Sequence, residues 1–254
     1  MSADAVLIAA WQAEERQPFA GWDFSHLDGR MLEDQAPWSY STRAAELLRA
    51  ARSALDLGTG GGERLLKLRA AWPGRLVATE DYPPNIFLSN QRLAPGGASV
   101  VAAHLGRVIP LPFASSQFDL VLNRHSGYNS RDLARILAPG GTFFTQQVDG
   151  RWASDLQAAF GARPKWPDAI LDNALPWLEQ AGLEIVTARE WAGKLTFTDV
   201  GAIVYYLRAV PWMVAGFSVA SHLDGLLALQ ARLERGEPLS FWAGKYLLEA
   251  RKPA

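Results

Sequence analysis

The segment Ala54-Leu55-Asp56-Leu57-Gly58-Thr59-Gly60-Gly61-Gly62-Glu63 decides how the rest of the chain is read. Four mostly apolar residues run straight into a glycine cluster, and helical spacing follows at Leu65, Leu66 and Leu68. Strand, glycine turn and helix in that order mark the ligand-binding edge of a doubly wound sheet, at the carboxyl ends of its strands. Glycine at 58, 60 and 62 lets the backbone turn tightly and lets a ligand lie where a Cβ would collide. The spacing is not that of a dinucleotide site. A G-x-G-x-x-G frame begun at Gly58 meets Glu63, and one begun at Gly60 meets Leu65. Asp56 and Glu63 would also repel a pyrophosphate, whereas they suit a ligand carrying a cationic amine or sulfonium.

Outward from this loop the alternation continues. Strands are expected at Arg75–Thr79, Ser99–Ala103, Phe118–Leu122 and Gly141–Gln146, with helices at Asn85–Leu93 and Ser130–Leu137. Strand–helix alternation with short connections implies right-handed crossovers and a mostly parallel sheet covered on both faces. Beyond it, a helix near Ile170–Gln180 stops at Gly182, and Leu183–Trp191 reads as a strand. Two helical stretches, about 199–209 and 221–235, precede a closing strand at Phe241–Ala250. The first 52 residues read as helical and aromatic-rich, with Ser41 or Thr42 capping a helix through Ala44–Ala51. The expected division is therefore a helical N-terminal extension, 1–52, and one α/β domain, 53–254, with a helical insertion at about 195–236.

Composition bounds the function. Of 254 residues 49 % are hydrophobic and 20 % charged, the profile of a chain with a full core. With 25 basic and 26 acidic residues, no global positive field draws nucleic acid or anionic lipid. A nucleic-acid partner is disfavoured without being ruled out. Zero cysteines exclude disulfides, thiolate nucleophiles and zinc–thiolate sites, and fit a cytoplasmic setting. The start, Met1 to Leu7, lacks the basic flank of a secretory signal. The apolar window 201–220 carries Arg208 and Pro211 and reads as a buried helix with a turn, not a membrane span. His26 and His222 have no metal-ligand spacing, so no metal is expected. Neither G-x-S-x-G nor a Gly-Lys-Ser/Thr phosphate loop occurs.

The sequence resembles the class I S-adenosylmethionine-dependent methyltransferases, chiefly over residues 53–150. Asp56-x-Gly58-x-Gly60-x-Gly62 is similar to their first motif, which holds the amino acid part of the cofactor, with Thr59 inside it. Glu80, 18 positions beyond Gly62, is similar to the acid that binds the ribose hydroxyls. Leu111-Pro112-Phe113 before Phe118-Asp119-Leu120-Val121, and Leu137-Ala138-Pro139-Gly140-Gly141, match the approaches to their fourth and fifth strands. One departure stands out. After the third strand, Val101–Arg107 offers no carboxylate for the adenine, leaving His104 or a backbone carbonyl.

The resemblance implies S-adenosyl-L-methionine as cofactor and a seven-stranded Rossmann-like sheet whose last strand inserts antiparallel. Tyr82 either covers the adenine or packs before Pro83-Pro84. Asn123, Arg124 and His125 follow the fourth strand, and Gln146 and Gln147 the fifth, on the side where a methyl acceptor lies. Asn123, Arg124 and Gln146 are the expected substrate contacts, and Arg124 is expected to orient an anionic substituent or pair with Asp149. His125 alone titrates near neutral pH and is the best available base. Trp11, Trp22, Phe24 and Trp38 read as packing of the extension rather than a substrate cage, and Asp119 as a strand-start residue bonding backbone. A small-molecule acceptor is expected. A nicotinamide-dependent oxidoreductase and a non-catalytic cofactor-binding protein of the same fold are the alternatives.

Overall fold

The computed structural model describes residues 3–254; Met1 and Ser2, where the reading of the start begins, lie outside the described residues. The centre of the molecule is a run of parallel strands. These are β2 (Ser53–Leu57), β3 (Arg75–Glu80), β4 (Ser99–Ala102), β5 (Phe118–Arg124) and β6 (Leu137–Val148). β7 (Glu184–Phe197) and β8 (Leu239–Arg251) extend the sheet, and β1 (Met31–Glu33) closes its edge, in the order β1-β7-β8-β6-β5-β2-β3-β4. β8 is antiparallel to both β6 and β7, as the resemblance implies for a last strand.

The sheet has eight strands, not the expected seven. The additional one is β1, so the first 52 residues are not wholly helical. Its cause is β7, which runs six residues past Trp191 to Phe197 and offers an edge to Met31, Leu32 and Glu33. A three-residue edge strand cannot be heard above loop composition, because its pairing partners lie 162 to 166 positions away. The fourth central strand also runs two residues further than expected, placing Asn123 and Arg124 inside β5.

The helices are α1 (Ala3–Glu15), α2 (Tyr40–Ala50), α3 (Glu63–Lys67), α4 (Pro83–Leu93), α5 (Ser130–Ile136), α6 (Ser154–Ala159), α7 (Leu171–Gln180), α8 (Val200–Ala209) and α9 (Leu223–Glu234). α2 begins two residues early because Ser39, not Ser41 or Thr42, caps it, its Oγ accepting from Thr42 N at 3.2 Å. The short α6 has no counterpart in the sequence reading. The remaining helices lie within a few residues of their expected places.

Each face of the parallel sheet carries its own core. Leu55, Leu57, Val121 and Phe143 pack on one side against Leu133, Ile136 and Leu178. Ala54, Leu120, Leu122 and Phe144 pack on the other against Ala44, Leu48 and Leu93, where Tyr40 stacks on Phe144 at 5.0 Å. A third core lies over the β7–β8 extension. There α8 is buried on nearly every side, with Arg208 its exposed residue, and Trp11 of α1 packs against it. A helix apolar all round must be enclosed, and this accounts for the long apolar window. No helix of the described residues is long and apolar enough to cross a membrane.

The N-terminal segment is bolted to α8. Asp199 caps that helix through Ala202 N at 2.8 Å and accepts Arg30 Nε and Nη2 at 2.9 and 2.7 Å, while Arg30 also meets Glu14 of α1 at 2.8 Å. Fork-to-fork pairing of this kind fixes orientation as well as adding energy.

Candidate functional site

β2 and β5 are neighbours at the point where the strand order reverses, and their carboxyl ends open onto a cavity of about 1160 Å³. The glycine turn forms one wall. Thr59 N–H donates to Thr79 O at 2.9 Å, which ties the turn to β3, and Gly60 N–H donates to Glu80 Oε2 at 2.7 Å. Glu80 Oε1 accepts from the N–H groups of Asp81 and Tyr82, both at 3.0 Å. Three of roughly four lone-pair directions on this carboxylate are thus occupied by backbone, and one on Oε2 is left for a ligand hydroxyl. Burial raises the Glu80 pKa, against the pull of those N–H donors.

Asp56, Gly58, Thr59, Gly60, Glu80, Tyr82, Arg124 and His125 all line the cavity. Gly62 does not; it is buried, with φ +84°, as the cap of α3. Asn123 does not either. It is fully buried, its amide nitrogen donates to Leu57 O at 3.2 Å and Ser126 Oγ at 2.7 Å, and its oxygen accepts from Thr145 Oγ1 and from Gln147. With every polar position satisfied within the protein, Asn123 supports the turn from beneath and does not line the cavity. Asp119 accepts from Arg52 and Ser53 N–H, the strand-start role expected of it. His104 is exposed and outside the cavity, where Leu105 provides an apolar wall instead.

Gln146 also lies behind the cavity wall, 6 % exposed. Its Oε1 accepts from Trp38 Nε1 at 2.9 Å, and its Nε2 lies 3.2 Å from His125 Nε2. An indole nitrogen can only donate, so this amide's oxygen is fixed toward Trp38 and its NH₂ group donates to His125. His125 Nε2 is therefore an acceptor already in use, and the ring's proton sits on Nδ1. Burial, with the positive charges of Arg124, Lys245 and Arg64 behind it, also holds the His125 pKa well below its ordinary value. His125 is thus a neutral imidazole in the cavity wall, with its Nε2 occupied by Gln146. Its backbone is in the left-handed region, φ +58°, a conformation uncommon outside glycine and concentrated at functional sites.

Asp56 differs in sign. Burial pushes its carboxyl up to about 6, with Glu80 adding to the rise and Arg124 and Arg64 opposing it.

The opposite wall comes from segments far away in sequence. Phe19, Gly21 and Trp22 from the N-terminal loop face Tyr205, Arg208 and Trp212 of α8 and its following turn. Trp22 and Trp212 stack at 5.8 Å with planes 4° apart. The early aromatics therefore divide: Trp11 is core, Trp38 holds Gln146, and Trp22 lines the cavity. Tyr40, Arg64, Ser126 and Arg208 were not foreseen as lining residues. No local motif announces them, because they meet only through the tertiary fold.

Residues 55–145 match the family model of a methyltransferase domain. A demethylmenaquinone methyltransferase of Thermus thermophilus is 31 % identical over 121 residues, which are 44 % of this chain and 55 % of that protein. The match thus spans about half the length of that curated relative. Among solved structures, a candidate methyltransferase from Bacillus halodurans C-125 superposes with a TM-score of 0.60 at 16 % identity, covering 84 % of this chain and 97 % of the other. The [4+2]-cyclase SpnF superposes with a TM-score of 0.52 at 16 % identity, covering 99 % and 94 %. At such identities these two structures speak for the fold alone.

Proposed function

We propose, from the premise that residues 55–145 are a methyltransferase domain of the class I, Rossmann-like family, that this protein transfers a methyl group from S-adenosyl-L-methionine to a small-molecule acceptor. One observation carries the reading. One cavity is lined by Asp56, which precedes the glycine turn, and by Glu80 at the end of β3, which accepts from Gly60 N–H within the turn. A Cβ built on Gly60 meets nothing nearer than Trp22 at 3.9 Å, so the space in front of this turn belongs to the cavity.

The residues fit the cofactor. Glu80 Oε2 would accept a ribose hydroxyl, Asp56 would face the ammonium of the amino acid part, and Tyr82 and Leu105 would border the base. When bound, S-adenosylmethionine would supply an electrophilic methyl group, with the neutral thioether S-adenosylhomocysteine as leaving group. Because that leaving group needs no proton, the chain's work is alignment and exclusion of water. The glycine turn and Glu80 hold one partner, while the aromatic wall of Phe19, Trp22, Tyr205 and Trp212 encloses the other. His125 Nδ1–H serves as an orienting donor. A cytoplasmic setting, suggested by the cysteine-free composition, is part of the same proposal.

Calorimetric titration with S-adenosylhomocysteine and, separately, NADH tests the cofactor; tight binding of NADH alone would replace the reading by the oxidoreductase one. The SpnF likeness makes a second readout necessary, since this fold also carries a cyclase. Transfer of labelled methyl to any member of a small-molecule acceptor screen separates catalysis from cofactor binding alone.

Two further outcomes follow from the charges. S-adenosylhomocysteine affinity should fall as pH drops through about 6, where Asp56 takes up a proton and ceases to attract the ammonium. The sign is set by the raised folded-state pKa, and Asp56→Asn should flatten the profile. For His125→Ala, turnover should fall far less than the 10²–10⁴ of a positioned base, with cofactor affinity within about twofold. Turnover of the parent should show no histidine limb above pH 6.5, since the imidazole is already neutral there. A hundredfold loss of turnover at saturating cofactor would restore His125 as the base.

A further inference from the structure

The acids around the cavity are nearly all engaged within the protein. Glu63 pairs with Arg92, Glu15 accepts from Val219 N–H at 3.1 Å, Asp23 accepts from Ser25 N–H at 2.9 Å, and Glu80 accepts three backbone donors. The cations are not. Arg208 and Arg64 have no ion pair among the described residues, and Arg64 donates a hydrogen bond to Ser41 Oγ at 3.3 Å. Arg124 is the extreme case, because it is drawn into the floor of the cavity. Its Nε is shielded from solvent with no hydrogen-bond partner, and no described carboxylate is within ion-pair distance.

The partners that could have met it are taken. Asp149, the carboxylate expected for it, is held by Arg151 at 2.6 Å, and Glu33 is paired with Lys245. Asp56 shares the cavity with Arg124 and acts on it without forming an ion pair. Burial, with Arg64 adding positive charge, pulls the Arg124 pKa down to about 10. A half-buried guanidinium whose Nε has no partner and which meets no anion is a cost to the empty protein. Its planar fork is also the side chain best matched to a carboxylate.

We infer that Arg124, with Arg64 behind it, anchors a carboxylate of the bound ligand. The inference rests on the cofactor reading above. The carboxylate belongs either to the amino acid end of the cofactor, whose ammonium Asp56 would meet, or to an acidic acceptor enclosed by the aromatic wall.

The test compares the parent with Arg124→Met and Arg124→Lys by calorimetry. The probes are S-adenosylhomocysteine, its decarboxylated analogue, and 2-naphthoate against 2-naphthamide. If the carboxylate is the cofactor's, the parent prefers S-adenosylhomocysteine to the decarboxylated analogue by about 10- to 100-fold, the worth of a hydrogen bond to a charged group. Arg124→Met then erases the preference and Arg124→Lys keeps part of it. If it is the acceptor's, both nucleosides bind alike to all three proteins. The parent saturated with S-adenosylhomocysteine then prefers naphthoate to naphthamide, and Arg124→Met does not. In both cases Arg124→Met raises the Tm of the empty protein. Unchanged preferences for both pairs overturn the inference, as does a lowered Tm with unchanged preferences, which makes Arg124 structural. Should Arg124→Met not fold, Arg124→Lys still reports the preferences. A parent that binds no S-adenosylhomocysteine fails the cofactor reading instead, and the naphthoate pair measured on the empty protein still decides the carboxylate site.

Discussion

Replacing Glu80 by alanine should weaken S-adenosylhomocysteine binding by about 10²-fold, at the upper end of the 1.5–3 kcal/mol that a charged hydrogen-bonding group contributes. Two losses combine. The direct one is the remaining acceptor capacity of Oε2, which would take a ribose hydroxyl in the proposed complex. The indirect one is the geometry of the turn, because the same carboxylate holds Gly60 N–H at 2.7 Å and both Asp81 and Tyr82 N–H at 3.0 Å. Without it three donors must find water, and the turn is no longer tied to the end of β3 through this side chain. Glu80→Gln should lie between the parent and Glu80→Ala, since an amide retains one acceptor oxygen but turns donors toward donors. Calorimetry on the three proteins checks the order. Parent-like affinity in Glu80→Ala would remove Glu80 from the site, whatever the fold.

Gly58→Val should cost the empty protein about 2–5 kcal/mol and lower its Tm on the order of 10 °C. Gly58 has φ +71°, where a β-branched residue is strained, and a Cβ there would stand 2.6 Å from Ser126 Cβ. Ser126 cannot move alone. Its hydroxyl donates to Leu57 O at 3.0 Å and accepts from Asn123, so the clash spreads into the buried network that joins β2 to β5. Gly60→Val makes the contrast. Its φ of +62° is also strained, but its Cβ position opens into the cavity. That variant should keep a folded sheet and lose ligand binding. Thermal melts paired with calorimetry separate the two; equal Tm values for both variants would show that Ser126 yields and that the packing argument at Gly58 fails.

The order of the central elements, the glycine turn, and the acids near the ends of the first two parallel strands, Asp56 and Glu80, were legible in the sequence because each is a local feature. An apolar run, a glycine spacing or a capping residue acts within a few positions of itself. The same locality explains the reading of 201–220, where Arg208 and Pro211 were enough to reject a membrane span and α8 proved to be enclosed by protein.

What only the tertiary structure decided was what each polar side chain faces. Asn123 and Gln146 stand at the ends of strands lining the site, as expected, yet both turn into hydrogen bonds within the protein and neither reaches the cavity. His125 titrates near neutrality in isolation. Burial and three nearby cations hold it neutral, and the amide fixed by Trp38 occupies its Nε2. Arg124 was expected to orient an anionic substituent or pair with Asp149, and Asp149 is held by Arg151 instead. The eighth strand and the aromatic wall arise the same way, from segments roughly 160 to 190 positions apart brought together when β7 overruns and α8 is buried. Sequence sets local backbone preference, which is additive over neighbours. The pKa of a histidine, the partner of an arginine and the far wall of a cavity are set by distance in space, and no short-range pattern encodes that.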